Sequence, residues 1–74
     1  MTYYCDDKRH LVCTPYNKTN LHVMAHDLGI KQCWYHSGKF PHYDIPAGRI
    51  EEIKAKCIIV SSKEILKIIK GERK

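Results

Sequence analysis

No apolar run in this chain approaches the roughly 20 residues that a membrane-spanning helix needs. No charged-then-apolar leader opens it either. No membrane partner is therefore expected, and the chain reads as cytoplasmic. The four cysteines, Cys5, Cys13, Cys33 and Cys57, contain no Cys-x-x-Cys pair or zinc-knuckle spacing. They read as reduced, buried thiols, with thiolate ligation of zinc as the alternative. Phosphate-loop and dinucleotide fingerprints are absent, as is the Gly-x-Ser-x-Gly elbow of a serine hydrolase. Nucleic-acid-binding motifs are missing too, which argues against a nucleic-acid partner. There are no internal repeats and no linker, so residues 1–74 form a single small α/β domain.

What the chain does have is positive charge. Thirteen Lys+Arg against eight Asp+Glu give a net charge of +5, which favours anionic partners. The excess is concentrated late, in Lys54, Lys56, Lys63, Lys67, Lys70, Arg73 and Lys74, and a solvated helix face accounts for most of it. A chain this short buries only about 60% of its unfolded surface. Ligand cavities usually run to roughly 300–1,000 Å³, so a sizeable ligand would lie on the surface or between subunits, and a homo-oligomer is expected.

Hydrophobic periodicity predicts three strands alternating with three helices. Thr2–Cys5 reads as a strand ending in two carboxylates, and residues 8–19 as an irregular polar loop turned by Pro15 and Asn17. A helix is predicted over Lys18–Leu28, where Leu21, Met24, Ala25 and Leu28 follow helical spacing and Gly29 supplies the stop. Ile30–His36 reads as the second strand. A helix over Pro46–Lys56 should bury Ile50 and Ile53, with proline at its first turn. Cys57–Val60 is continuously apolar, as expected of a parallel strand covered on both faces. Ser61 and Glu64 make a capping-box pattern for a last helix, with Ile65, Leu66, Ile68 and Ile69 inward and Gly71 as its stop. Glu72–Lys74 should fray. The β-α-β-α-β-α order calls for a small three-stranded parallel sheet with helices packed on its faces.

In such sheets ligands sit at the carboxyl ends of the strands. Asp6 and Asp7 follow the first strand, His36 through Asp44 follow the second, with His42-Tyr43-Asp44 and then Arg49 the notable residues, and Ser61 follows the third. An acid, a base, a phenol and a guanidinium at one loop-to-helix junction are more than a connection requires. Arg49 and the free amides of the Pro46 helix could hold phosphate. Trp34 and Tyr43 could stack a base. Asp6, Asp7, His10, His22 and His42 could orient the rest of a nucleotide-like ligand. The structural alternatives are that Trp34 belongs to the core, Asp44 caps the helix, Arg49 pairs with Asp44 or Asp6, and His22 is a hydrogen-bonded, half-buried side chain.

The ordered set Tyr4-Cys5-Asp6-Asp7, His10, Leu21-His22, Trp34-Tyr35, His42-Tyr43-Asp44 and Arg49 resembles the small bacterial and phage proteins grouped as domain of unknown function 4031. The resemblance runs from Tyr4 to about Val60, and it implies a shared site without naming a reaction. The expected function is binding, or sequestering, of a nucleotide-like phosphate ligand at the sheet's carboxyl edge without a cofactor. By analogy with other small phage proteins, this could serve to sequester a host immune nucleotide signal. One alternative is a metal-dependent phosphodiesterase or nuclease using Asp6, Asp7, Asp44, His10 and His42. Those five have ligand chemistry but no His-x-His or similar fixed spacing, so no metal site is assigned from sequence. A protein-binding inhibitor using the basic last helix is the remaining class.

Overall fold

The computed structural model describes residues 1–71, so the expected fraying of Glu72–Lys74 lies outside the described residues. Five strands form one mixed sheet: β1 (Thr2–Cys5), β2 (His10–Thr14), β3 (Tyr35–His36), β4 (His42–Asp44) and β5 (Ile58–Ile59), in the order β3-β4-β2-β1-β5. Only β1 and β5 run parallel, and every other pairing is antiparallel. The three helices are α1 (Lys18–Leu28), α2 (Ile50–Lys54) and α3 (Ser62–Ile69).

This overturns the three-stranded parallel sheet in β-α-β-α-β-α order. Its largest error lies at residues 8–19, expected to be a loop. His10–Thr14 is instead a central strand, with Leu11, Val12 and Cys13 fully buried. It pairs back onto β1 through a short turn and carries β4 on its other side. The expected strand Ile30–His36 shrinks to a 3-10 turn over Gln32–Trp34 and the two-residue β3. His42–Asp44, expected in a loop, is strand β4. The expected Pro46–Lys56 helix becomes a 3-10 turn, Ala47–Arg49, followed by the five-residue α2. Cys57–Val60 yields only the short edge strand β5, whose Ile58 and Ile59 are exposed rather than covered.

The helix ends follow the capping rules. At the start of α1, Asn17 Oδ1 accepts from the Asn20 amide at 2.7 Å. At its end Gly29 takes the left-handed conformation (φ 70°), and the Ile30 amide returns to the Ala25 carbonyl. Ser61 Oγ accepts from the Glu64 amide to open α3.

Strand alternation divides the side chains between two layers. On one face Tyr3, Leu11, Cys13 and Tyr43 meet α1, whose Leu21, Met24, Ala25 and Leu28 are buried. The Tyr3 hydroxyl donates to Asp27 of that helix. On the other face α3 packs over β2, burying Ile65 and Ile68. The sheet is thus a middle layer between α1 and α3. Polar side chains gather on the α3 face, at the end of the sheet where β1 turns into β2.

Candidate metal centre

Asp6 is the one fully buried polar residue among those described. It ends β1, and both carboxylate oxygens are in use. Oδ1 accepts from the backbone amides of Lys8 (2.8 Å) and His10 (3.0 Å). Oδ2 accepts from His10 Nδ1 (2.8 Å) and from Ser62 Oγ at the start of α3 (2.7 Å). Burial by itself would raise this carboxyl's pKa. The hydrogen bonds from His10, Ser62 and the two amides outweigh burial and hold it below the usual carboxylate value. Asp6 is therefore an anion with a full set of donors. The same amide bonds shape the β1–β2 turn, in which Arg9 sits at φ 72°, a conformation few side chains adopt. The Ile45 amide fixes that residue by donating to the Arg9 carbonyl.

Sheet register assembles the rest. His10 lies opposite Asp44, and His36 lies opposite His42. Residues two apart on a strand share a face, so His42 and Asp44 point the same way. The His10 and His42 rings meet edge to face at 5.0 Å, and His36 stacks on His42 at 5.2 Å. Asp44 bridges His36 and His42, with Oδ2 2.8 Å from His36 Nε2 and Oδ1 3.3 Å from His42 Nε2.

Hydrogen-bond chemistry places a proton on Nδ1 of two of these rings. A carbonyl oxygen only accepts, so the 2.7 Å contact between His42 Nδ1 and the Phe40 carbonyl puts a proton on Nδ1. In the neutral ring, Nε2 is then a bare lone pair facing a carboxylate oxygen. In the neutral ring, the bond from His10 Nδ1 to ionised Asp6 likewise makes Nε2 the free acceptor atom. Histidines ligate metals with one ring nitrogen donating to a carboxylate or carbonyl and the other left for the metal, and His10 and His42 both commit Nδ1 in that way. His10, His42 and Asp44 each offer a ligand atom, and the three atoms lie within 4.8 Å of one another. His10 and His36 are about one-third and one-half exposed, so solvent reaches the cluster.

A family model described as "Protein of unknown function (DUF4031)" matches residues 7–72, nearly the whole chain. The chain belongs to this family. No curated protein and no solved structure matches it. The DUF4031 description leaves the activity open.

Within this DUF4031 chain the expected site residues fall into three places. Asp6, His10, His42 and Asp44 come together on the α3 face. Tyr43 lies between two of them in sequence but on the opposite face, because a strand turns alternate side chains to opposite sides. It is buried against α1, its hydroxyl 2.6 Å from His22 Nδ1. Burial, and then the nearby Tyr35, raise its pKa. Trp34 is half-buried and packs against the core. Arg49 directs every polar contact elsewhere: its guanidinium donates to the Leu28 and Gly29 carbonyls at the end of α1 (2.6 and 2.7 Å) and pairs with Glu52. Asp7 is exposed in the β1–β2 turn. Asp44 is in a strand and caps no helix. Sequence reasoning missed His36 and Ser62. Nothing in their local sequence marks them, and only the β3–β4 pairing and the position of α3 bring them in.

The cysteines add no ligand to this centre. Burial pushes the thiols of Cys13 and Cys57 up to about 11 and about 12, which disfavours thiolate ligation. A larger hollow of about 600 Å³, lined by Met1, Thr14, Tyr16 and Ile68 among others, opens at the far end of the sheet. Among the described residues no acid, histidine or lysine lines it.

Proposed function

We propose that this protein binds a divalent cation through His10 Nε2, His42 Nε2 and the Asp44 carboxylate, and uses it to bind and hydrolyse a phosphate ester. One observation carries the reading: both histidines have committed Nδ1 to fixed acceptors, and His10, His42 and Asp44 each offer a ligand atom within 4.8 Å of the others. Two histidines and one carboxylate with open positions suit Zn²⁺, Mn²⁺ or Fe²⁺ better than an all-oxygen Ca²⁺ site. Asp6 would hold the His10 ring in place, and His36 would hold Asp44 through its other oxygen. A bound cation would polarise the phosphoryl oxygen and acidify a bound water. The water oxygen would then bond to phosphorus as the ester P–O bond breaks and the leaving oxygen takes a proton. The net positive charge favours an anionic substrate. Four free thiols suit a reducing compartment such as the cytosol.

Isothermal titration with Zn²⁺ and Mn²⁺, followed by assay on bis(4-nitrophenyl) phosphate, tests this. One cation per chain is expected, with hydrolysis abolished by EDTA and cation affinity lowered at least tenfold in His42→Ala and Asp44→Asn. Failure of either cation to bind would remove the proposal.

The exposure of the cluster favours a second reading, in which a nucleotide-like phosphate ligand is held and sequestered without cleavage, because little here excludes water. Chromatography of nucleotides after incubation with the cation-loaded protein separates the two. Intact nucleotide together with a large thermal shift would favour sequestration.

A further inference from the structure

An apolar groove opens directly from the His10–His42 end of the cluster. His10 and His42 form one end, Phe40 one wall, and Ile65, Leu66 and Ile69 of α3 the other, enclosing about 250 Å³. Leu66 is 38% exposed there. Two ammonium groups stand by the Phe40 wall, Lys39 Nζ at 5.6 Å and Lys70 Nζ at 6.0 Å from the ring centre. The groove therefore combines an apolar floor, cationic flanks and, at one end, the ligand set described above. We infer that it is the subsite for the organic group of the substrate, and that this group is flat and aromatic, an aryl or nucleobase moiety attached to the phosphate.

The inference rests on the cation-dependent phosphate-ester reading and specifies its substrate class. The phosphate would sit at His10, His42 and Asp44, and the attached ring would slide between Phe40 and Leu66. Phe40 offers an aromatic partner, and the branched side chains of α3 offer a flat apolar surface. A free phosphate or an alkyl ester would leave those walls wet. The two lysines add positive charge to the surroundings of an anionic ester.

Phenylphosphonate and methylphosphonate carry the same anionic head and differ in the ring, so they isolate the subsite. Binding of each to the Zn²⁺-loaded protein is measured by titration calorimetry. Phenylphosphonate should bind at least tenfold more tightly. Leu66→Gln, at an exposed position on α3, should erase that margin while Zn²⁺ still binds, and Leu66→Ala should reduce it. Equal affinity for the two phosphonates in the unaltered protein would overturn the subsite while leaving the cation site intact. If Zn²⁺ binds but neither phosphonate does, the phosphate-ester reading fails as well. A dimer in sedimentation that Leu66→Gln dissociates would make the groove an interface between copies and would equally overturn the inference.

Discussion

At the scale of single residues, Asp6 is where charge and fold are most tightly coupled. Its carboxylate takes two backbone amides, a histidine and a hydroxyl in a site closed to water. Replacing one oxygen with an amide in Asp6→Asn sets a donor against donors and removes the charge. A loss of about 2–3 kcal/mol at neutral pH is expected, read by urea denaturation. The sign of the pH dependence follows from the lowered pKa. Asp6 contributes its full stabilisation above the unfolded carboxyl value of about 4 and loses it as pH falls through the lower folded value. The gap between the wild-type protein and Asp6→Asn should therefore narrow under acid, and a constant gap would contradict the assignment. Arg49 makes the opposite case. Its guanidinium satisfies the last carbonyls of α1, so Arg49→Ala should lower the melting temperature while leaving cation affinity unchanged. Lost phosphate binding at an unaltered melting temperature would return Arg49 to the site.

At the scale of elements, β2 shows where the sequence could be read and where it could not. The spacing of Leu21, Met24, Ala25 and Leu28, the Asn17 cap and the Gly29 stop are local signals, and α1 forms over the residues they mark. The start of α3 at Ser61 and the β1 strand were legible for the same reason. In β2 the apolar core is only Leu11-Val12-Cys13, flanked by Lys8, Arg9 and His10 on one side and Pro15 on the other. Such a run becomes a strand only because β1 and β4 take up both of its edges, a non-local pairing that periodicity does not report. The same limit hid the division of His42-Tyr43-Asp44 between two faces. Read as a loop the triplet forms one site, whereas a strand sends its middle residue to the α1 layer. The expected convergence rested on the carboxyl ends of parallel strands, whereas Asp6, His10 and Asp44 meet through the antiparallel pairing of β2 with β1 and β4. Apolar continuity misled in the other direction at β5, an edge strand with Ile59 59% exposed. Ile59→Lys should change stability by no more than about 0.5 kcal/mol, whereas Leu11→Ala, at 0% exposure, should cost about 2–5 kcal/mol. Comparable losses in the two variants by chemical denaturation would reverse the roles assigned to these strands.

At the scale of the whole molecule, the ligand set connects parts of the chain that have no local reason to meet. His10 comes from β2, His42 and Asp44 come from β4, and the Asp6 carboxylate behind His10 joins the end of β1 to the start of α3. An unfolded chain does not hold these groups together, so a cation bound to all three ligands binds the folded form almost exclusively. Linkage then gives a stabilisation of about 2.7 kcal/mol when free cation is a hundredfold above its dissociation constant. For a domain of this size that corresponds to a rise of roughly 10–20 °C in melting temperature. The apolar core on both faces of the sheet is complete without the cation, so the cation-free protein should also melt cooperatively, at the lower temperature. The increment should disappear in EDTA and in His42→Ala, and it should persist in Arg49→Ala because that side chain belongs to the end of α1. A melting temperature that ignores Zn²⁺ and Mn²⁺, or an increment that survives His42→Ala, would mean that β2 and β4 meet for packing alone.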